Sequence, residues 1–494
     1  MKVIVSIDQS TAATKGLVWS LDGRLLARAD ISHRQLTNSL GWVEHDPMEI
    51  LDNSVKAIAQ ALEQARVAAQ SVAVIGISNQ RETAVCWDRN TGMPVYNAIV
   101  WQCARAADIT KAVEEAGWKD EVRKRTGLPL SPFFSAAKYK WIIQNVPEAA
   151  CAGMRGSLCC GTVDSWLIFK LTGAFKTDYS NAGRTQLMNL NSCAWDTKLT
   201  GIFGLDAACL PEICMSDSFF GETDLNGLLP KPVPVHGVMG DSHAALFANE
   251  CRQPFTAKAT YGTGSSVMMN AGAACPVPGE GVAAGLAWGM NNKREYVLEG
   301  NINYTGAVIK WLAEDIGLLP DPKKAGSIAK TVPDNGGVYL VPAFSGLGAP
   351  YFISEARAAF VGMNRATKKA HLIRAAEECI AYQVRDVVEA INRSISRPLS
   401  VLRADGGPTR DDFLMQFQAD LLNVPLEISQ TEELSGMGAA FCAAIGAGLA
   451  APDDIFSSQA RKTVNPAMDQ STRSSLYAGW KQAVRSVSAG AISH

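Results

Sequence analysis

Apolar residues along this chain fall into short runs of strand length and longer stretches with helical spacing. Runs at 2–7, 72–77 and 233–239 are short and continuous, as in buried strands, and each ends at a small or polar residue. Stretches at 46–68 and 371–395 repeat apolar residues every three or four positions, as an amphipathic helix does. The alternation predicts an α/β fold.

Further elements follow from the same pattern in both halves of the chain. We expect a strand at 95–100 and a helix at 162–173 in the first half. In the second half the pattern predicts the remaining elements, namely strands with a Gly-Thr-Gly turn at 259–270, a helix at 303–316, a strand at 337–344, a strand and Gly-Gly turn at 402–412, and a small-residue helix at 435–448.

Two hydroxyl-rich turns, one in each half, have the form strand, turn, strand. The first places Asp8 at a strand end with Thr11 beside Lys15, and the second is Gly262-Thr263-Gly264. Glycines and hydroxyls in such a turn let backbone N–H groups face an anion. A plain β-hairpin explains either turn alone, but the pair favours a duplicated phosphate-binding fold, with domains 1–250 and 251–494.

Charged residues also fall at the ends of predicted strands. Gly240-Asp241 separates a strand from the Ala-rich helix at 243–248, and Arg81 and Glu82 follow the strand at 72–77. Sites in α/β sheets collect at such ends. A carboxylate followed by a phosphate-type turn fits transfer of a phosphoryl group to a hydroxyl, although a Gly-Asp corner is also common in simple turns.

Composition excludes several classes of protein. The 494 residues carry a net charge of −2 with Lys and Arg scattered, which disfavours nucleic acid as a partner. The N-terminus lacks a signal-peptide pattern and no apolar run is long enough to span a membrane, so we expect a cytoplasmic protein. The twelve cysteines form no C-x-x-C pair and indicate reduced thiols, and the six histidines show no metal-ligand spacing.

The chain resembles the FGGY carbohydrate kinases, and among them the members that phosphorylate glycerol. The resemblance spans nearly the whole chain and rests on motifs in the same order, namely IDQST at 7–11, GWVEHDPMEI at 41–50, GISNQRETAVCWD at 76–88, NAIVWQ at 97–102, FFSAAKYKWIIQN at 133–145, GTVDSWLIFKLTG at 161–173, GDSHAALF at 240–247, TYGTGS at 260–265, VPAFSGLGAPYF at 341–352, AAFVGMNRATKKAHLIRAAEE at 358–378, DGGPTRDDFLMQFQAD at 405–420 and YAGWKQAV at 477–484. One departure is Glu377, where the family usually has an apolar residue.

The resemblance implies two actin-like (ribonuclease-H-like) α/β domains that face each other across a cleft, with ATP and Mg²⁺ bound between them. Asp241 matches the catalytic base and Asp8 the acid at the metal. The matching nucleotide positions are Ser10, Thr11, Ala12, Lys15, Thr263, Gly264, Gly306, Lys310, Gly407 and Asp411. Lys310 and Asp411 stand where the most similar members carry amides.

Positions that match the family's polyol site divide into retained and changed residues. Arg81, Glu82, Trp101 and Asp241 are retained. The changed ones are Phe133 in place of tyrosine, Ser242 in place of glutamine and Ser266 in place of phenylalanine. Each change removes a contact to a three-carbon substrate, and Ser266 also opens space.

The sequence therefore predicts an ATP-dependent kinase for glycerol or a related small polyol or sugar, as a single chain or a homo-oligomer. A ketopentose or tetritol kinase, similar to a xylulokinase, is the first alternative. A catalytically silent actin-like protein that binds a sugar is the second, but such a protein would not need both Asp8 and Asp241. An ATPase of the actin or chaperone type would not need the polyol residues.

Overall fold

The structure is a computed structural model that describes residues 2–395, 397–457 and 459–489. In the first half the strands are β1 (Val3–Gln9), β2 (Ala13–Ser20), β3 (Leu25–Ser32), β4 (Leu36–Thr37), β5 (Val43–His45), β6 (Val72–Asn79), β7 (Val85–Asp88), β8 (Met93–Pro94), β9 (Ala98–Ile99), β10 (Leu158–Gly161), β11 (Lys176–Asp178), β12 (Met188–Asn189), β13 (Ala194–Trp195), β14 (Glu212–Cys214), β15 (Gly221–Thr223) and β16 (Val233–Gly240). The helices are α1 (Pro47–Ala65), α2 (Ala107–Glu115), α3 (Lys119–Thr126), α4 (Ser135–Asn145), α5 (Pro147–Met154), α6 (Val163–Thr172), α7 (Tyr179–Ala182), α8 (Thr197–Phe203) and α9 (Asp241–Ala248).

The second half repeats the alternation of strands and helices. Its strands are β17 (Ala257–Tyr261), β18 (Ser265–Gly272), β19 (Ala283–Met290), β20 (Lys293–Ile302), β21 (Tyr339–Val341), β22 (Ala359–Val361), β23 (Leu402–Asp405), β24 (Leu426–Ser429) and β25 (Arg461–Val464). Its helices are α10 (Gly306–Glu314), α11 (Ala325–Ala329), α12 (Lys369–Ile395), α13 (Asp412–Leu422), α14 (Leu434–Gly446), α15 (Pro452–Phe456) and α16 (Gln470–Ala489).

The main sheets of the two halves share one internal strand order. The first sheet runs β15-β16-β6-β1-β2-β3, and the second runs β19-β20-β18-β17-β23-β24-β25. β1 pairs parallel with β6 and antiparallel with β2, just as β17 pairs parallel with β23 and antiparallel with β18. The two hydroxyl-rich turns therefore occupy equivalent places in two related sheets, which confirms the predicted duplication and the two-domain α/β fold.

Most predicted elements are present, because their local signals are strong. Asp46 caps α1 by accepting a hydrogen bond from the Met48 amide, and Pro47 occupies the first turn, where no backbone donor is needed. The helix buries Ile50, Ile58 and Leu62 against the first sheet, as the apolar spacing predicts. The core of this half therefore forms beneath the strand ends that carry Asp8 and Arg81.

Two predicted strands are shorter than expected. The run at 95–100 forms only β9, although the Val95 amide still bonds the Cys86 carbonyl at 3.0 Å. The Tyr96 and Asn97 side chains donate hydrogen bonds to Glu44 at 2.8 and 2.7 Å. The run at 337–344 forms only β21, which ends just before Pro342. Proline has no N–H to donate and so ends ladder pairing.

A helix of the second half packs on the sheet of the first half. α14 contacts β1, β6, β16 and α9. Its glycines permit the approach, because a Cβ on Gly438 would lie 2.0 Å from the Ala244 carbonyl oxygen, and one on Gly76 of the sheet 2.4 Å from the Ala439 carbonyl oxygen. The two halves are thus packed together behind the cleft.

The remaining features agree with the composition. The twelve cysteines are free, and most are buried. Among the described helices, none has the length and apolar character needed to cross a membrane.

Candidate functional site at the cleft between the two sheets

Asp241 lies at the corner between β16 and α9. Its side chain is 35% exposed, so the carboxylate is open to the cleft. The Ser242 amide donates to Asp241 Oδ1 at 2.6 Å, and the Arg81 Nε lies 3.4 Å from the same oxygen. Gly240 is required beside it, because a Cβ there would lie 2.6 Å from Arg81 Cγ. One carboxylate oxygen is held in place, and the other can accept a proton.

Arg81 also belongs to a buried network of charges that crosses between the halves. Its Nη1 and Nη2 donate to the two oxygens of Glu299, on β20, at 3.1 and 2.9 Å. Arg184 donates to Glu299 at 2.8 Å and also to Glu82. These side chains are 8% exposed or less. Glu82 adopts φ of +61°, a conformation that non-glycine residues rarely adopt and that cleft residues can hold when their surroundings fix them.

The pKa values of the network are shifted in the direction expected for strong ion pairs. Burial opposes ionisation, but the charges of Arg184 and Arg81 outweigh it and hold the pKa of Glu299 well below its usual range. Burial likewise opposes the charge on Arg81, yet Glu299, Glu82 and Asp241 together raise its pKa. Both groups therefore stay charged, and the cleft holds a fixed, oriented guanidinium.

Trp101 connects the polyol residues to the first turn. Its indole Nε1 donates to the Thr11 hydroxyl oxygen at 2.8 Å, and its ring lies 5.4 Å from the ring of Phe133. Phe133 in turn contacts Phe134, with centroids 5.3 Å apart. These rings form an apolar wall of the kind that covers the carbon chain of a bound polyol.

Ser242 and Ser266 stand on opposite halves of the cleft. Ser242 is in the first turn of α9, and Ser266 is on β18 opposite Asn301 of β20. The Ser266 hydroxyl is buried without a hydrogen-bond partner among the described residues. A cavity of about 440 Å³ lies nearby, lined in part by Phe133, Glu299 and Asn301. Neither serine lines this cavity, so additional space beside Ser266 stays a prediction.

The first turn has free backbone donors. Ser10 closes the turn, with its hydroxyl donating to the Ala13 carbonyl at 2.8 Å. His33 donates from its ring to the Thr11 carbonyl at 2.9 Å and stabilises the turn from behind. The amides of Thr11 and Ala12 donate to no other described residue. They are therefore available to a phosphate oxygen.

Asp8 and Lys15 lie at the base of that turn. Lys15 Nζ is 3.7 Å from Asp8 and donates to Glu433 at 2.7 Å. Burial, with the charges of Glu433 and Asp241, raises the pKa of Asp8 to about 6 even though Lys15 lowers it. Among the described residues no cluster of three or more metal-binding side chains occurs. The donor set still fits Mg²⁺, which proteins usually bind through one or two carboxylates plus substrate phosphates.

The second turn is built the same way but without charged side chains. The Gly262 amide bonds the Gly264 carbonyl at 2.9 Å, and the amides of Thr263 and Gly264 donate to no other residue in the described ranges. A Cβ on Gly264 would lie 2.4 Å from the Ile302 carbonyl oxygen, so only glycine fits. The Gly306 amide at the start of α10 bonds the Gly262 carbonyl at 2.9 Å.

A cavity of about 640 Å³ lies in the second half, next to Gly306, whose amide bonds this turn. Three predicted nucleotide positions line it, namely Gly306, Gly407 and Asp411. Asp411 also caps α13 and accepts from the Gly326 amide at 3.0 Å. Lys310 is not among the residues that line the cavity; its side chain is 67% exposed and lies 3.5 Å from Glu314.

Four titratable residues near the site were not predicted from the sequence, namely Glu299, Arg184, Glu433 and His243. Glu299 interrupts the apolar run YVLEG of β20, and a charge within a buried strand was the signal available for it. Arg184 and Glu433 lie in stretches without any such signal. His243 is buried beside Arg81, and its Nδ1 has no partner in the part of the chain that the structure describes.

Comparisons with known proteins agree with this geometry. Residues 3–248 match the FGGY family of carbohydrate kinases, N-terminal domain, and residues 257–447 match its C-terminal domain. Glycerol kinase 1 of Thermotoga maritima is 43% identical over 98% of this chain and 99% of its own length. A glycerol kinase of Carboxydothermus hydrogenoformans is 43% identical over 98% of this chain and 97% of its own.

Solved structures show the same fold. Plasmodium falciparum glycerol kinase with ADP superposes with a TM-score of 0.94 at 34% identity, covering 99% of this chain and 98% of that one. A ligand-bound xylulose kinase from Lactobacillus acidophilus superposes with a TM-score of 0.89 over 99% of both chains, but at 21% identity it supports the fold alone.

Proposed function

The chain belongs to the FGGY family of carbohydrate kinases, and we propose that it transfers the terminal phosphoryl group of ATP to a terminal hydroxyl of glycerol or a closely related small polyol. It is a phosphotransferase with an alcohol group as acceptor. The observation that carries the proposal is the position of Asp241, which is open to the cleft, 3.4 Å from Arg81 and electrostatically coupled to Asp8 beside the first turn.

The reaction follows from these positions. The substrate hydroxyl loses its proton to Asp241 as its oxygen forms a bond to the terminal phosphorus of ATP. The bond from that phosphorus to the bridging oxygen breaks, and ADP leaves with the electron pair. Arg81 keeps the carboxylate oriented, and Trp101 and Phe133 cover the carbon chain. Such general base assistance is worth about 10²–10⁴-fold.

The turns bind the phosphates from both sides. The free amides of Thr11 and Ala12 and those of Thr263 and Gly264 each provide donors for phosphate oxygens. Mg²⁺, which Asp8 would hold, offsets the charge of the phosphate oxygens when it is bound. ATP as the donor is supported by the relative solved with ADP.

A longer acceptor is the second candidate, because of the cavity beside Phe133. The 440 Å³ cavity offers space beyond a three-carbon substrate. The Ser266 hydroxyl, which does not line this cavity, is buried without a partner among the described residues and could bond an added substrate hydroxyl if the wall opens. A site with such a polar group disfavours a substrate that leaves it unpaired. We therefore expect a four- or five-carbon polyol or ketose to compete with glycerol.

An assay panel tests both candidates. ATP-coupled turnover is measured on glycerol, erythritol, threitol, ribitol, xylulose, ribulose and dihydroxyacetone, and kcat/KM ranks them. Phosphorylation of none of these would contradict the kinase proposal and favour a silent sugar-binding protein. ATP hydrolysis that is independent of every acceptor would favour an ATPase.

Asp241→Asn tests the base. We expect turnover to fall about 10²–10⁴-fold while ADP affinity and the thermal midpoint stay near those of the wild type. Asp108→Asn, at an exposed position on α2, is the control and should leave turnover unchanged. Near-normal activity of Asp241→Asn would remove Asp241 from this role.

Two wider properties remain proposals. A cytoplasmic location fits the use of ATP, and fractionation of cells tests it. Assembly into a dimer or tetramer of identical chains is tested by light scattering.

A further inference from the structure

Glu377 is a buried carboxyl group in the cavity next to Gly306. It lies on α12, is 3% exposed, and lines the 640 Å³ cavity together with Gly306, Gly407 and Asp411. The adjoining walls are largely apolar, with Ile309, Ile380, Phe413 and Leu414 contributing. The cavity thus places an apolar surface, suited to a planar base, beside the buried Glu377, while charged residues line the rest of it, namely Lys323, Lys330, Arg410, Asp411 and Asp412.

The neighbouring glutamate shows what is unusual about Glu377. Glu378 accepts hydrogen bonds from Arg374 at 2.7 Å and from Asn335 at 3.1 Å, so its charge is satisfied within the protein. None of the described residues donates a hydrogen bond to Glu377. A buried carboxyl group without a donor is costly unless it is neutral or gains a partner from a ligand.

The electrostatics favour the neutral form in the free protein. Burial raises the pKa of Glu377 well above its usual range, and the charge of Asp411 adds to the effect. A neutral carboxyl group has one O–H donor and one carbonyl acceptor. Adenine offers the complementary pair, since its N6 amino group donates and its N7 accepts. Guanine has two acceptors, O6 and N7, on that edge.

We propose that Glu377 binds the purine base of the nucleotide, accepting a hydrogen bond from the N6 amino group and donating one to a ring nitrogen, and so selects adenine. This inference rests on the proposed function, because it assigns a contact within the ATP site of the kinase. It accounts for a buried glutamate beside the apolar part of the cavity to which no described residue donates a hydrogen bond.

Binding measurements with nucleoside diphosphates test the proposal without turnover. The probes are ADP, GDP and the diphosphate of purine riboside, which is ADP without the N6 amino group. Isothermal calorimetry on the full chain gives Kd for each probe with the wild type, Glu377→Gln and Glu377→Leu. We expect the wild type to bind the analogue without N6 about tenfold more weakly than ADP, the loss expected for one hydrogen bond to a buried polar group.

The variants separate the contact from a general effect on folding. In Glu377→Leu the difference between ADP and the analogue should shrink to about twofold or less, because nothing remains to pair with N6. Glu377→Gln keeps one acceptor and one donor, and so should retain the wild-type preference. The thermal midpoint of each variant shows whether the fold survives.

Each result supports or overturns the proposal. An equal preference for ADP over the analogue in Glu377→Leu and the wild type would overturn it. GDP binding tighter than ADP binding in the wild type would also overturn it, and would indicate an ionised carboxylate that accepts from N1–H and N2–H of guanine. If the wild type binds no nucleotide at all, the proposed kinase function fails instead.

Discussion

One end of the cleft, here called the polyol end, is formed by Arg81, Glu82, Trp101 and Asp241. There, charged side chains are paired with other protein charges before any ligand binds. Arg81 is held by Glu299, and Glu82 by Arg184. At the nucleotide end, formed by the second turn and the cavity around Gly306 and Gly407, the donors are backbone amides that no described residue pairs. Glu377, which lines that cavity, is a buried carboxyl to which no described residue donates.

The difference follows from the ligands. A polyol is neutral, so a buried charge facing it needs a counter-charge from the protein to stay ionised. A nucleotide carries its own negative charge, so the amides that face it can stay unpaired and solvated until it binds. The polyol end should therefore be fixed by the fold, and the nucleotide end should respond to its ligand.

Removal of Glu299 should give the largest effect. Glu299→Ala leaves Arg81 and Arg184 buried without their shared carboxylate, and we expect the free energy of unfolding to fall by about 3–5 kcal/mol. Denaturant unfolding measures this loss. Since Arg81 is then free to leave Asp241, KM for the polyol should also rise.

The control for that variant is an exposed ion pair. Glu114 pairs with Lys119 at 2.6 Å, with both side chains more than half exposed. Glu114→Ala should cost about 1 kcal/mol or less, because water screens the pair. Equal losses in both variants would contradict the claim that the polyol end depends on buried charge.

A methyl group in the second turn should give the next largest effect, a loss of stability and of ADP affinity. In Gly264→Ala the Cβ would lie 2.4 Å from the Ile302 carbonyl oxygen, so the turn must shift, at a cost of about 1–3 kcal/mol. ADP affinity should fall with it. Gly201→Ala, on α8, is the control, because a Cβ there would meet no atom within 4 Å, so stability and ADP affinity should both stay unchanged. Unchanged ADP binding by Gly264→Ala would remove this turn from the phosphate site.

Larger side chains at Ser266 and Ser242 should have a smaller effect, which is a change in substrate preference. Ser266→Phe combined with Ser242→Gln removes space and the unpartnered hydroxyl, and we expect the ratio of kcat/KM for glycerol over the best longer acceptor to rise about tenfold. Ser266→Ala removes the hydroxyl without filling the space and separates the two causes. A wild type that already prefers glycerol to every longer acceptor would show that the open wall does not select substrate.

The smallest effect is a difference in how the stability contributions of two carboxyl groups, Glu299 and Glu377, depend on pH. Glu299 has a lowered folded pKa, so its contribution to stability is present above the unfolded pKa of about 4.3 and is lost as the pH falls. Glu377 has a raised folded pKa, so its contribution is present below about pH 4.3 and is lost as the pH rises through the folded value.

Amide variants measure this contrast. Glu299→Gln should lower the free energy of unfolding at pH 7, and this deficit should stay nearly constant down to about pH 4.3 and shrink only below it. Glu377→Gln should raise the free energy of unfolding at pH 7, and this gain should shrink as the pH falls toward about 4.3. The charged residues that line the cavity beside Glu377 are Lys323, Lys330, Arg410, Asp411 and Asp412. Parallel pH profiles for the two variants would show that the groups do not differ in this way.

Local patterns in the sequence predicted much of this protein. Capping by Asp46 and Pro47, the apolar spacing of the long helices and the turns at Thr11 and Thr263 depend on neighbours along the chain, so they could be identified without the structure. The strand predicted at 337–344 was too long, because Pro342 has no N–H to continue the ladder that the apolar pattern predicted. The predicted site residues remain predictions in their roles, although the structure brings most of them to one cleft.

Contacts between distant segments were decided only by the tertiary structure. Arg81 meets Glu299 from 218 positions away, and Lys15 meets Glu433 from 418 positions away. Neither pairing has a local signal, because which charge compensates which depends on how the two sheets pack. The same holds for Lys310, which the sequence placed at the nucleotide and the fold leaves exposed beside Glu314. It holds also for Glu377, which α12 buries where no described residue donates a hydrogen bond to it. The sequence determined the elements and the chemistry at their ends, whereas packing determined the partner of each buried charge, since burial and distance are properties of the folded chain.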